Sequence, residues 1–212
     1  MNEFIFTLNS SPIKHLCSVD KQLSKIIFHI GDLSYSLHKD SFSFLVHEII
    51  EQMLSVQAGN KIYSRLLLKL NSNLTPESIL SLSVEEIKSI GMSYKKANCI
   101  FDLASEIQNN KMSFDKLSNM SDEEVIRALT YIRGIGPWTS KMYLLFVLNR
   151  MDVLPYEDGA FIQSFKWLYK TSDISKDNII KRCQKWSPYS SIASRYMYQA
   201  LNMGMTKTEF SL

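Results

Sequence analysis

Cysteine is scarce in this chain of 212 residues, with three in all: Cys17, Cys99 and Cys183. They are odd in number, far apart and without paired spacing, which excludes a disulfide scaffold and leaves no ligand set for zinc or an iron–sulfur cluster. A reducing, cytoplasmic setting is the expectation. Seven glycines and five prolines are all that punctuate the chain, and no glycine–serine linker, charge block, low-complexity tract or internal repeat marks off a flexible joint. Excess charge is also small: 24 basic against 21 acidic residues leave a net +3, so any nucleic-acid surface has to be local. Long hydrophobic runs are missing. The apolar stretch in residues 1–8 is too brief for a signal peptide and no later one is long enough to span a bilayer, which argues against a membrane role.

What the chain does have is core-forming material. With 45% hydrophobic and 21% charged residues it reads as a packed globule, large enough for one generous core or two lobes sharing a cleft. After an extended lead-in over residues 1–10, the apolar residues recur at helical rather than alternating spacing. The expected fold is all-α, with about ten helices. Thr75-Pro76 is a helix start, and Ser83 with Glu86 and Ser121 with Glu124 are capping boxes. Longer amphipathic helices are predicted over 42–58, 94–109, 122–132, 137–149, 160–169 and 190–201. Two helical lobes are expected, residues 1–40 with 151–212 and residues 41–150, with a site in the cleft between them.

The chemistry concentrates in residues 131–161. Ile132-Arg133-Gly134-Ile135-Gly136-Pro137-Trp138-Thr139 is a glycine turn opening into a helix, where Gly134 and Gly136 let backbone amides approach a ligand and the helix start favours a phosphate oxygen. Two helices joined this way, over 121–149, form a helix-hairpin-helix unit that grips a DNA backbone without reading sequence. An ordinary helix-terminating turn is the bland alternative. Downstream, Asp158 follows Val153-Leu154-Pro155-Tyr156-Glu157 and precedes a helix. It is a candidate N-cap and a candidate catalytic carboxylate at once. The histidines His15, His29, His38 and His47 offer no spacing that suggests a metal site.

Four segments in order carry a family resemblance: Gln52-Met53-Leu54-Ser55, Gly91-Met92-Ser93-Tyr94-Lys95-Lys96-Ala97, the hairpin, and Trp186-Ser187-Pro188-Tyr189-Ser190-Ser191-Ile192-Ala193. The chain resembles the helix-hairpin-helix DNA glycosylases, and within them the 3-methyladenine DNA glycosylase II family, in a compact form without the additional N-terminal β-sheet domain. The resemblance implies a DNA repair enzyme that flips a damaged nucleotide and hydrolyses its N-glycosidic bond. Asp158 would stabilise the sugar cation, with Glu157 a solvated neighbour.

It further implies that Trp138, Tyr198 and Met142 line the base pocket, although another branch has tyrosine at the place of Met142, which leaves the base range open. Met53, beside Gln52, would be the wedge that fills the stack. Gly134, Gly136, Thr139 and Lys141 would hold the DNA backbone, with Lys95, Lys96, Arg133 and Lys166 also able to reach phosphates. Each of these side chains has a structural alternative: core for Tyr198 and Met53, a solvated face for the lysines. Trp138 stands where strand-cutting relatives have a lysine, so a monofunctional enzyme is expected. No cofactor is expected beyond a sodium or potassium ion at the carbonyls of Ile132 and Gly134, which the family resemblance allows. The partner is double-stranded DNA with damaged bases, and the chain is expected to be monomeric. The first forty residues are expected to form a helical lid, with Ile13, Leu16, Leu23, Ile26, Ile27 and Ile30 as its buried stripe. Release of uracil or an oxidised base, and a silent DNA-binding module, are the competing functions.

Overall fold

The computed structural model describes residues 3–210. The chain opens with β1 (Glu3–Phe6), α1 (Ser11–Val19), α2 (Lys21–Ile30) and β2 (Leu33–Ser36). It continues through α3 (Ser41–Glu51), α4 (Val56–Lys69), α5 (Pro76–Leu80), α6 (Val84–Ser89), α7 (Tyr94–Gln108), α8 (Phe114–Ser118), α9 (Asp122–Thr130) and α10 (Pro137–Phe146). It closes with α11 (Gly159–Tyr169), α12 (Lys176–Cys183), a short 3-10 turn at Gln184–Trp186, α13 (Ser190–Asn202) and a second 3-10 turn at Met205–Lys207. Thirteen α-helices stand among the described residues where about ten were expected. No helix there is long and apolar enough to cross a membrane. The elements form two compact units, one from the chain up to Leu37 together with that from Asn149 onward, the other from His38 to Leu148.

In the discontinuous unit, α13 packs against α2 and α11 around a core that includes Leu16, Leu23, Ile26, Phe161, Phe165, Trp186 and Tyr196. Of the periodic residues, Ile13, Leu16, Leu23, Ile26 and Ile27 are buried as their helical spacing requires, while Ile30 is half-buried at the edge of the core. They form part of the core of this unit. Asp20 secures it. Its carboxylate caps α2 through the amides of Gln22 and Leu23 and accepts from Trp186 Nε1 at 2.9 Å, from Tyr169 Oη and from Lys185 Nζ at 3.1 Å. Burial alone would push this carboxyl up, but those hydrogen bonds outweigh it and hold the group below its ordinary value. β1 and β2 pair antiparallel, with Phe4 opposite Tyr35. The Arg195 guanidinium of α13 lies 3.5 Å from the Tyr35 ring centre, and Tyr196 Oη donates to the Gly31 carbonyl. The helical periodicity around it hid β2.

In the continuous unit, α7 packs against α3, α5 and α6, while α10 packs against α9 and α3. All three sequence-level start signals are realised: Thr75, Ser83 and Ser121 each accept from a backbone amide three residues on, in reciprocal capping boxes. The helix expected over 42–58 is instead two. It breaks at Gln52–Ser55, where Met53 takes φ 59° and Ser55 caps α4 through the Ala58 amide. Residues Thr139 to Leu145 of α10 are all buried, so this helix is enclosed on every side rather than amphipathic.

Candidate active site

The hairpin joins α9 to α10. Its turn is closed by the Ile135 amide donating to the Ile132 carbonyl at 3.0 Å. The two glycines do different jobs. Gly134 has φ 110°, and a Cβ there would lie 2.9 Å from Cys99 Sγ, so both conformation and packing demand glycine. Gly136 is extended (φ −107°, ψ 178°), a conformation any residue adopts, and a Cβ on it would meet nothing within 4 Å. Its contribution is open space beside the start of α10, where no side chain caps the helix and Pro137 holds the first position. First-turn amides and the positive dipole end make that start an anion site.

Gln52 ties the turn between α3 and α4 to this hairpin. Its Nε2 donates to the Gly134 carbonyl at 3.0 Å and to Thr139 Oγ1 at 3.2 Å. Next to it Met53 is fully exposed (102%) and left-handed, and Leu54 and Val56 are exposed as well. An unbranched apolar side chain projecting from a strained turn is costly in water; a wedge needs that arrangement. The hydroxyl of Thr139, which is 1% exposed, is thus committed to Gln52, leaving its backbone as the part suited to a phosphate. Lys141 is buried and engaged within the fold. The Ile132 carbonyl accepts from the Ile135 amide and the Gly134 carbonyl from Gln52 Nε2, and a carbonyl oxygen carries two lone pairs. Neutral oxygens of this kind suit a monovalent cation.

In the discontinuous unit, Asp158 caps α11: its Oδ1 accepts from the Phe161 amide at 2.8 Å and its own amide donates to the Pro155 carbonyl at 2.9 Å. The residue is 8% exposed. The arm leading to it is strapped to the start of α13. Asp152 accepts from the Ser187 and Ser190 hydroxyls and the Ser190 amide, while the Val153 amide donates to Ser191 Oγ at 2.9 Å. This strap gives the Trp186–Ala193 segment a physical role. The serines were visible in that segment, but nothing in the local pattern named Asp152 as their partner.

The remaining sequence-predicted residues are distributed as follows. Trp138 is half-buried in the first turn of α10 and Met142 is 4% exposed in its middle. Tyr198 is half-buried and packs on the core of its unit. Glu157 is half-buried, with a partner in the fold. Lys95 and Arg133 are exposed, whereas Lys96 is half-buried and donates to two backbone carbonyls. Lys166 lines a groove of about 770 Å³ with Trp167, Lys170 and Phe210. Around His47, the ligand-type atoms of His47, Glu48 and Glu51 lie within 4.8 Å of one another. Hydrogen bonding to Glu48 leads the causes that raise the imidazole above its ordinary value, and Asn60 Oδ1 lies 3.0 Å from Nε2. The i, i+4 spacing of His47 and Glu51 was the available signal.

Residues 46–188 match the family model of the HhH-GPD superfamily base excision DNA repair proteins. The chain belongs to this superfamily. Among HhH-GPD relatives, the alkylbase DNA glycosidase-like protein mag2 of Schizosaccharomyces pombe is 28% identical over 193 residues, covering 88% of this chain and 91% of the relative. The crystal structure of a DNA-3-methyladenine glycosidase from Bacillus halodurans superposes with a TM-score of 0.84 at 30% identity, over 95% of this chain and 94% of that one. The S. pombe 3-methyladenine DNA glycosylase Mag1, in complex with abasic DNA, gives 0.82 at 26% identity over 91% and 97%.

Proposed function

We propose that this chain is a monofunctional DNA glycosylase that removes alkylated purines, of the 3-methyladenine and 7-methylguanine type, from duplex DNA in base excision repair. The observation that carries the reading is Asp158, a carboxylate 8% exposed and fixed as the cap of α11 through the Phe161 amide. In this reading the amides at Gly134, Gly136 and Thr139 hold the backbone, Met53 enters the stack, and the flipped base stacks on Trp138 beside Met142 and Tyr198. Alkylation makes the purine cationic, so an electron-rich ring selects it and it departs as a neutral base. The C1′–N bond breaks with both electrons leaving on the base. Positive charge then spreads over C1′ and the ring oxygen, the Asp158 carboxylate offsets it, and water adds at C1′ to leave an abasic site. With Trp138 in place of a lysine, no Schiff base forms and the strand stays intact.

The same reading places a monovalent cation at the Ile132 and Gly134 carbonyls. It would offset the crowding of carbonyl and phosphate oxygens. Lys141 lies beside the hairpin as a fixed positive charge rather than as a reaching side chain.

The test is release of free base from methylated duplex by wild type and Asp158→Asn. Methylpurine release by wild type that the substitution abolishes, with DNA affinity retained, is the expected result. Release of uracil or an oxidised base instead would move the assignment to another substrate, and tight binding with no release of any base would leave only a DNA clamp.

A further inference from the structure

Lys96 stands in the first turn of α7 and its ammonium donates to the carbonyls of Ile50 and Gln52, both at 2.7 Å. These oxygens belong to the end of α3 and to the residue before Met53. A helix C-terminus leaves such oxygens without intrahelical donors and gathers negative dipole there, so a cation satisfies both needs. Burial draws the ammonium below the ordinary lysine range, and the two short charge-assisted bonds offset its lost hydration. Gln52 is therefore held twice: at its carbonyl by Lys96 and at its side chain by the Gly134 carbonyl and the Thr139 hydroxyl. The next residue, Met53, is left-handed and wholly exposed.

We propose that Lys96 is a positioning residue for the wedge: by fixing the carbonyls of Ile50 and Gln52 it keeps Met53 projecting, ready to enter the gap left by a flipped nucleotide. The proposal rests on the glycosylase reading above and deepens it. Without the strap, Met53 can leave its left-handed conformation, and the turn has to be ordered again during each insertion, at an entropic cost. Lys96 touches no substrate. Its effect falls on the rate and extent of wedge entry more than on backbone affinity, which belongs to the hairpin.

A duplex with 2-aminopurine beside a stable abasic analogue reports wedge entry by fluorescence, with no bond cut. Wild type should give a signal that Met53→Ala abolishes. Lys96→Met should slow entry about tenfold, the effect of losing charge-assisted bonds, and Lys96→Arg should restore most of it, because a guanidinium also donates to two carbonyls. A Lys96→Met protein that melts like wild type and inserts at the wild-type rate overturns the proposal. If Lys96→Met does not fold, Lys96→Gln decides: slowed entry supports the strap and an unchanged rate overturns it. Methylpurine release by the same wild-type preparation separates the two levels. Release without any wild-type fluorescence change overturns the wedge strap but leaves the enzyme; a Lys96-dependent change without release supports the strap and removes the enzyme.

Discussion

Asp158 holds a helix and carries a charge, and one substitution separates the two tasks. Asparagine caps a helix as well as aspartate does, so Asp158→Asn should lower single-turnover base release by about 10²–10³-fold, as loss of an electrostatic stabiliser does, with little change in melting temperature. Asp158→Ala should lose the same activity and a further ~1 kcal/mol of stability with the cap. Melting curves beside the release assay distinguish the pair. The glycines form a second contrast. Gly134→Ala must adopt φ 110° and press its Cβ to 2.9 Å from Cys99 Sγ, which should cost about 1–3 kcal/mol in thermal unfolding. Gly136→Ala fits its extended backbone and open surroundings, so it should melt normally yet bind abasic duplex about fivefold more weakly, through obstruction of one amide contact. Fluorescence anisotropy reads that loss. At this scale the glycine turn and an aspartate capping the next helix were legible from residue type and order, whereas Met53 stood out only through the family resemblance. The difference between Gly134 and Gly136 was not legible, because it depends on Cys99, which is distant in the chain.

Elements were readable where their determinants are local. Thr75, Ser83 and Ser121 each carry their partner three residues ahead, so those helix starts were plain. The break at Gln52–Ser55 is held by partners 44, 82 and 87 residues away in the chain, Lys96, Gly134 and Thr139. No window of sequence contains them, and apolar periodicity runs straight across the gap. The pairing of β1 with β2 was lost for the same reason. As an element, the hairpin should bind phosphates in a salt-dependent way. Arg133 is exposed in the turn, so Arg133→Ala should reduce the slope of log affinity against log salt by about 1. Titrations of an abasic duplex at several salt concentrations measure it, and an unchanged slope would place Arg133 off the phosphate track.

For the molecule as a whole, the discontinuous unit is closed around Asp20, which joins the start of α2 to Tyr169, Lys185 and Trp186. Those hydrogen bonds hold its carboxyl below the ordinary aspartate value. A carboxylate shifted down contributes stability that is present in full above its unfolded value and is lost as pH falls through the folded one. The melting temperature should therefore decline below about pH 4, and Asp20→Asn should flatten that decline. The substitution should also cost about 2–4 kcal/mol at neutral pH, since Lys185 and two aromatic donors lose their ionised partner. Periodicity foretold the buried N-terminal stripe but not its anchor, because a lone aspartate between helices looks like any other cap.

That unit cannot close until residues 149–212 have been made, whereas His38–Leu148 is one uninterrupted stretch. During translation, domains tend to fold as they emerge, so the half bearing the hairpin and the wedge should take shape on the ribosome while the half with the carboxylate is still being synthesised. A nascent chain stalled once Leu148 has left the ribosome should then show protected amides in α3 to α10 and open ones in α1 and α2, and it would grip DNA before it could cut a base from it.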